Sequence, residues 1–146
     1  MNDKPALSEA EAFDPARAGW EMLKGVGFGE LIGPLWKRED GRRLRFGFVV
    51  VQKHLNRAGI LHGGMLMTFA DQAMGMTTRQ ATGGKRHATI ELNMQFVGTV
   101  RLGEFVEAQC EVVRATRSLV FMQAKMFVGT RMVVTANGIW KILGEA

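Results

Sequence analysis

The longest apolar stretch of the chain runs from His62 to about Gln80 and predicts a helix. It is too long for one strand, and it is rich in Met, Leu, Ala and Gln, which are good helix formers. Glycines occupy residues 63–64 before its body and residues 83–84 after its end. Apolar residues lie on nearly all of its sides, and such a helix is stable only when it is covered. The pattern therefore predicts one long central helix that the rest of the chain surrounds.

Alternating apolar and polar positions predict β-strands on both sides of this helix. Before it, residues 34–40 and 43–51 flank the turn sequence EDGR and predict a hairpin. The second strand of this hairpin places four apolar residues on one face: Leu44, Phe46, Phe48 and Val50. After the helix, four β-like runs joined by short turns predict an antiparallel meander.

The first two of these runs show the clearest alternation. Within residues 87–97, two sets of residues are assigned to opposite faces: Ile90, Leu92, Met94 and Phe96 on one, and Thr89, Glu91, Asn93 and Gln95 on the other. The next run groups Val106, Ala108, Cys110 and Val112 on one face. A sheet with one buried side has this period of two.

The N-terminal part predicts a short helix over residues 13–25, in which Asp14 is the cap, Pro15 takes the first helical position and Gly25 ends the helix. The glycines at 25, 27 and 29 miss the dinucleotide-binding spacing and are interpreted as a turn. Residues 1 to about 12 are polar, and we expect them to be loosely held.

The order of elements predicts an α+β fold in which an antiparallel sheet of five or six strands wraps around the long helix. The 146 residues, of which 47% are hydrophobic and 23% charged, fit one globular domain over residues 1–146. Residues 1–30 form its N-terminal extension. The chain has no apolar run of the length that a membrane span requires, and its first residues do not resemble a signal peptide.

Charge and cysteine content limit the classes of function. The formal net charge is +5, but the basic residues are scattered and no nucleic-acid-binding motif is found. A solvated surface or an anionic small ligand explains this charge better than nucleic acid does. The single cysteine, Cys110, excludes an intramolecular disulfide and a Cys-rich zinc site, and it suits a cytoplasmic location. The three histidines lack the spacing of metal ligands, so no metal or cofactor is expected.

Asp71 is the unusual residue of the long helix. It belongs to a stripe of small and polar residues at spacings of three and four: Gly64, Thr68, Asp71, Gln72, Gly75 and Arg79. One interpretation is a solvated surface acid. Against it, the neighbours are mostly apolar, and no Lys or Arg lies three or four positions away. A carboxylate in a poorly solvated site is a usable base or nucleophile.

Gly63 is the candidate partner of this acid. The sequence His62-Gly63-Gly64 predicts a helix N-terminus, whose free amides carry partial positive charge and can polarise a carbonyl. Gly63 and Asp71 are eight residues apart, about 12 Å along a helix, so one helix cannot apply both to one carbonyl. Two antiparallel helices from two chains can. If both groups are catalytic, the protein is a two-fold dimer.

The pattern N-x-x-G-x-x-HGG-x-x-x-T-x-x-D, from Asn56 to Asp71, followed by TIELNMQF, resembles the hotdog-fold acyl-CoA thioesterases of the PaaI-like 4HBT group. The resemblance covers roughly residues 33–143. It implies the hotdog fold, which dimerises edge to edge and often pairs again as a homotetramer. It implies acyl-CoA as the small-molecule partner, and no nucleic acid or membrane.

The resemblance also implies roles for individual residues. Asp71 is the nucleophile or general base, and the Gly63 amide polarises the thioester carbonyl. Asn56 and His62 orient substrate, water or the loop before the helix, and Thr89 helps to position water. The residues assigned to substrate binding are Gly64 and Thr68 on the helix stripe and, near the coenzyme A tail, Arg114, Arg117 and Ser118. For the last three, a solvated hairpin turn is the alternative.

The predicted function is hydrolysis of an acyl-CoA thioester to free acid and coenzyme A, which is part of the substrate and not a cofactor. Two alternatives stay open: a module that binds acyl-CoA without turnover, and a hotdog dehydratase or hydratase. The sequence leaves the acyl group, the choice between dimer and tetramer, and the choice between anhydride formation and direct water attack undetermined. Several methionines, among them Met65, Met67, Met74 and Met76, line a pocket or belong to the core.

Overall fold

The computed structural model describes residues 12–144, so the expectation for residues 1–11 lies outside the described part. A helix, α2 (Gly63–Ala81), packs against one seven-stranded sheet, and every strand pair of that sheet is antiparallel. The predicted α+β arrangement around one long helix is confirmed. The sheet has one strand more than the larger predicted number.

The elements follow one another in a simple order. The strands are β1 (Glu21–Met22), β2 (Trp36–Asp40), β3 (Arg43–Val49), β4 (His87–Phe96), β5 (Phe105–Ala115), β6 (Leu119–Val128) and β7 (Arg131–Ile142). A short helix, α1 (Phe28–Ile32), precedes β2, and a 3₁₀ turn, Gln52–His54, follows β3. Within residues 12–144, no helix combines the length and the hydrophobicity of a membrane span.

The strand order in the sheet is β1-β2-β3-β5-β6-β7-β4. The β2–β3 hairpin and the β5–β6–β7 meander agree with prediction, but β4 pairs with β7 and not with β5. The prediction of a four-stranded meander is therefore wrong for β4, its first strand. The connection 97–104 is long enough to cross the end of the sheet. Val97 N–H donates to Val133 O (2.9 Å) in β7, and Gly103 N–H donates to Val50 O (2.9 Å), just after β3.

The predicted helix over residues 13–25 is also wrong. The Asp14 carboxylate accepts hydrogen bonds from the amides of Ala16 (3.1 Å) and Arg17 (3.4 Å), as a cap would. The chain then leaves the helical path at Gly19, where φ is +85°, and continues into β1. Trp20 is buried and packs edge-on against Phe105 (centroids 4.9 Å apart), so this tertiary contact overrides the local capping signal.

The short helix of the N-terminal part is instead α1, in the glycine-containing stretch that was interpreted as a turn. It lies beside α2, and Gly29 faces Gln72: a Cβ added at Gly29 would be 3.9 Å from Gln72 Nε2.

The core lies between α2 and the inner face of the sheet. The helix residues predicted as core are buried: Leu66, Phe69, Ala70, Ala73 and Met74. Met65 is buried as well, and Met67 is 39% exposed. Of the methionines that could line a pocket or belong to the core, Met74 belongs to the core alone, Met65 is buried and also borders a groove, and Met76 lines grooves. The helix contacts β3, β4, β5, β6 and β7, which covers it as its composition requires.

A bulge in β4 changes the predicted faces of this strand. The pairing with β7 shifts between Thr89 and Glu91, which leaves Ile90 as the extra residue, 55% exposed. Thr89 pairs with the buried Trp140 and so lies on the inner side, not with Glu91 on the outer side as predicted. Bulges commonly re-aim a side chain. Here the bulge turns Thr89 toward α2.

Candidate active site

The N-terminus of α2 is capped by His62. The ring Nδ1 of His62 accepts a hydrogen bond from the Gly64 amide (2.8 Å), and its backbone is in the extended conformation of a cap. A Cβ added at Gly64 would lie 2.9 Å from this Nδ1, so glycine permits the close approach. The structure thus uses one orphan amide of the helix for capping and makes His62 part of the helix start.

The loop before the helix is shaped by Asn56 and His54. Asn56 Oδ1 accepts from the amides of Ala58 (2.9 Å) and Ile60 (3.3 Å), which closes the turn that precedes Leu61 and His62. Of the orienting roles expected for Asn56, the structure shows shaping of this loop.

His54 holds the same loop through hydrogen bonds of its ring and its backbone carbonyl. Its Nδ1 accepts from the Val51 amide (3.1 Å), so Nε2 carries the proton and donates to Ile32 O (2.6 Å) at the end of α1. Burial lowers the pKa of His54, with the hydrogen bond to Ile32 opposing this effect. His54 O in turn accepts from the His62 amide (2.8 Å), which ties α1 to the start of α2.

Gly63 is the first residue of α2, and among residues 12–144 nothing accepts a hydrogen bond from its amide. The first amides of a helix lack helical acceptors and lie at the positive end of the helix dipole. The ring of Phe96 comes within 3.4 Å of the place that a Cβ of Gly63 would occupy. A donor is therefore available at a position with no side chain of its own.

Asp71 lies two turns along the same helix and is half-buried. The Thr89 hydroxyl donates to Asp71 Oδ1 at 2.6 Å, a distance typical of a hydroxyl on a carboxylate. The acid thus faces a polar partner on β4. Gly63 and Asp71 lie on one unbroken helix, so within one chain the two groups are about 12 Å apart.

A groove of 340 Å³ adjoins Asp71, and Arg79, His87 and Trp140 contribute to its walls. Gly75 lets the sheet approach: a Cβ there would lie 3.3 Å from His87 Nε2 and 3.7 Å from Trp140 Nε1. The sequence did not single out His87 or Trp140 as site residues. The available signal was Gly75, a small residue of the stripe. It indicates that some neighbour comes close to the helix but not which one.

The other predicted residues fall into two further grooves. Gly64 and Thr68 lie with His62 in a groove of 410 Å³ at the start of α2, where the Thr68 hydroxyl donates to Gly64 O (2.9 Å). Arg117 and Ser118 lie in a groove of 650 Å³ beyond the end of α2.

The groove beyond the end of α2 is basic. It brings Arg117 and Ser118 together with Lys85 and Arg86, which the sequence showed only as scattered charges. Arg114 is exposed on β5 and does not line this groove. The predicted trio is therefore only partly brought together.

Cys110 is a poor nucleophile here. It is partly buried against the core, and burial raises the pKa of its thiol to about 12, against the opposing effect of a hydrogen bond with Thr77. The thiolate is the reactive form of cysteine, and it is scarce near neutral pH. Within residues 12–144, no cluster of His, Cys, Asp and Glu has the arrangement of a metal site.

Solved structures share this architecture. A conserved protein of Pseudomonas aeruginosa is 26% identical, with a TM-score of 0.74, over 88% of this chain and all of that chain (100%). A Bacillus halodurans protein solved with CoA is 24% identical, with a TM-score of 0.67, over 75% of this chain and 74% of that one. The likeness to the second supports the fold.

Sequence comparison identifies the family. A Pseudomonas aeruginosa protein that is named as a candidate esterase is 30% identical over 138 residues, which make up 93% of this chain and 98% of that protein. The model of the family described as 4HBT, Thioesterase superfamily, matches residues 58–135, more than half of the chain and the whole segment from the loop before α2 to β7 that carries Gly63, Asp71 and Thr89. The chain therefore belongs to the thioesterase superfamily, the enzymes that hydrolyse thioesters.

Proposed function

We propose that the protein hydrolyses acyl-CoA thioesters at a site shared by two chains, with Asp71 from one chain and the Gly63 amide from the other. The observation that carries the proposal is the arrangement of α2. Thr89 holds a carboxylate at mid-helix, and about 12 Å away, at the helix start, lies an amide with no acceptor among residues 12–144. Two antiparallel copies of α2 would bring each group opposite its counterpart.

The proposed reaction consumes one water. The thioester carbonyl oxygen accepts a hydrogen bond from the Gly63 amide, which stabilises the negative charge that develops on that oxygen. Asp71 takes a proton from water while the water oxygen attacks the carbonyl carbon, or attacks that carbon itself to give an anhydride that water then opens. In both routes the C–S bond breaks, coenzyme A leaves as the thiol after protonation, and the acyl group becomes a carboxylic acid.

The free edge of the sheet supports the two-chain arrangement. Within residues 12–144, β4 has a strand partner on one side only, and an edge strand of ten residues is a ready template for a second chain. Large apolar side chains are exposed along and beside it, with Ile90, Phe96 and Val97 each at least half exposed. The Phe96 ring lies within 3.4 Å of the place that a Cβ of Gly63 would occupy, so the edge adjoins the proposed oxyanion donor.

The basic groove beyond the end of α2 suits the phosphates of coenzyme A. Lys85, Arg86 and Arg117 supply positive charge there, and Arg86 of this groove directly precedes His87 of the Asp71 groove in the chain. The structural neighbour solved with CoA supports coenzyme A as part of the substrate.

A heterodimer experiment tests the shared site. Chains carrying Asp71→Asn and chains carrying Gly63→Pro are co-expressed with different tags, and the mixed dimer is isolated. Although each parent is inactive, the mixed dimer has one intact site of two, and we expect about half of the wild-type CoA release per dimer. The matched control pairs a wild-type chain with a chain that carries both substitutions, which leaves each shared site with one defect and no activity.

The opposite result would overturn the shared site: an inactive mixed dimer together with a half-active control places both groups in one chain. The assay also separates the alternatives. Tight acyl-CoA binding by the wild type without release of a free thiol supports a binding module, and loss of a β-hydroxyacyl substrate with its thioester intact supports a dehydratase or hydratase.

Thr89 should act as a positioning residue for Asp71. Thr89→Val keeps the shape and the strand preference of the side chain but removes the hydroxyl, and a hydrogen bond to a charged group is a strong one, so we expect kcat to fall about ten-fold. Thr89→Ser restores the donor and should recover most of the rate. CoA release measures both variants, and a valine variant with wild-type kcat would remove Thr89 from the site.

A further inference from the structure

We propose that the acyl group enters an apolar cavity of 580 Å³ between α2 and the segment 22–35, and that this cavity favours aliphatic chains over aryl groups. The inference rests on the proposed thioesterase function, and it names the class of substrate. The cavity is built within one chain, from the segment between β1 and β2 on one side and from α2 on the other.

The lining favours a flexible aliphatic occupant. Met22, Leu23, Val26, Leu35 and Met76 provide apolar walls, and no aromatic ring belongs to the lining among residues 12–144. Methionine and leucine side chains adapt to chains of different shape, whereas a site for an aryl group gains from stacked rings. The cavity is open to solvent on one side: Met22 is 56% and Val26 78% exposed. The charged lining residues are exposed as well, namely Lys24, Glu30 and Lys53.

The cavity continues from the Asp71 groove. Gln72 and Met76 line both spaces, Gln72 being the next residue after Asp71 and Met76 lying about one turn further along α2. A carbonyl placed at Asp71 therefore has a path for its alkyl chain past Gln72 and Met76 into the cavity. An acetyl group is too short to reach past Gln72 and Met76, whereas a longer acyl chain extends into the cavity.

Gly29 keeps the cavity open. It lies in α1, where glycine is a poor helix former, and it is part of the lining. A Cβ added there would meet only Gln72 Nε2, at 3.9 Å, which is ordinary contact distance. A larger side chain at this position can thus be accommodated by the backbone and would occupy the space assigned to the acyl chain.

The cavity predicts a dependence on chain length. Each methylene that passes from water into the cavity should raise kcat/KM by about four-fold until the cavity is full. We therefore expect kcat/KM to rise steeply from acetyl-CoA to decanoyl-CoA. The reduction by Gly29→Leu should be at least ten-fold for decanoyl-CoA, while acetyl-CoA is hydrolysed at the wild-type rate.

The experiment measures kcat/KM for straight-chain acyl-CoAs from acetyl to decanoyl, and for one aryl-CoA, with the wild type, Gly29→Leu and Gly29→Ala. The alanine variant is the matched control, because it improves the helix preference as leucine does but adds one methyl group only. Equal losses for acetyl and decanoyl substrates in Gly29→Leu, no loss for either, or a wild-type preference for the aryl substrate would overturn the assignment.

Binding of S-alkyl-CoA thioethers, which cannot be hydrolysed, keeps this test separate from the proposed reaction. A protein that hydrolyses no thioester overturns the proposed function. The cavity assignment still holds if thioether affinity rises with alkyl length in the wild type and loses this rise in Gly29→Leu, and it fails if affinity is independent of alkyl length.

Discussion

Asp71→Asn is expected to lower kcat for acyl-CoA hydrolysis by about 10² to 10⁴-fold, the usual contribution of a general acid or base. The amide of asparagine neither accepts the proton of water nor attacks a carbonyl at a useful rate. Its oxygen can still accept the Thr89 hydrogen bond that now holds the carboxylate, so the fold and substrate binding should be kept. Steady-state CoA release gives kcat, and KM should change little.

A thermal unfolding curve close to that of the wild type is the control for Asp71→Asn, because Asp71 is half-buried and not part of the core. A wild-type kcat in a folded Asp71→Asn variant would remove this residue from the mechanism. A large rise in KM at constant kcat would instead assign to Asp71 a role in ground-state binding.

Gly63→Pro is expected to lower kcat by about 10² to 10³-fold, the cost of losing one oxyanion donor. Proline has no N–H, so this substitution removes the hydrogen-bond donor at residue 63. Any other substitution would keep it. The first helical position tolerates proline well, and the extended conformation of His62 (φ −67°, ψ 132°) is the one that a residue before proline prefers. The helix should therefore begin where it does now.

Gly63→Ala is the matched variant, since it keeps the amide and adds a methyl group that meets the Phe96 ring at ordinary contact distance. We expect this variant to retain far more activity than the proline variant, with circular dichroism showing the same helix content in both. Equal activity in the two variants would show that the Gly63 amide does not stabilise the transition state.

The sequence predicted the elements whose signals are local. The period of residues 62–80 gave α2 to within one residue at each end, and alternation gave the β2–β3 hairpin and the β5–β6–β7 meander. The position of β4 depends on which strand pairs with the free side of β5. In the structure β3 pairs there, so β4 lies beside β7. Asp14 predicted a helix because a capping carboxylate accepts the same backbone hydrogen bonds in a turn as at a helix start. The chain forms the turn because Trp20 packs against Phe105, a residue far away in the sequence.

The part of the candidate site that could be predicted is the part whose residues belong to α2 and the loop before it. The motif from Asn56 to Asp71 predicted an acid and a helix-start amide, and their spacing is the basis on which we propose a second chain. The inward position of Thr89 depends on a bulge that only the pairing with β7 defines. His87 and Trp140 lie on other strands, and the cavity at Gly29 depends on the distance between two segments far apart in the chain, which no local pattern records.

The state of Cys110 has a practical consequence for an enzyme whose product is itself a thiol. With a pKa of about 12, the only sulfhydryl of the protein is almost wholly protonated at pH 8. It therefore exchanges slowly with disulfides, including the disulfide that forms when a released thiol is oxidised. Thiol-detecting dyes will accordingly report released coenzyme A with little background from the protein.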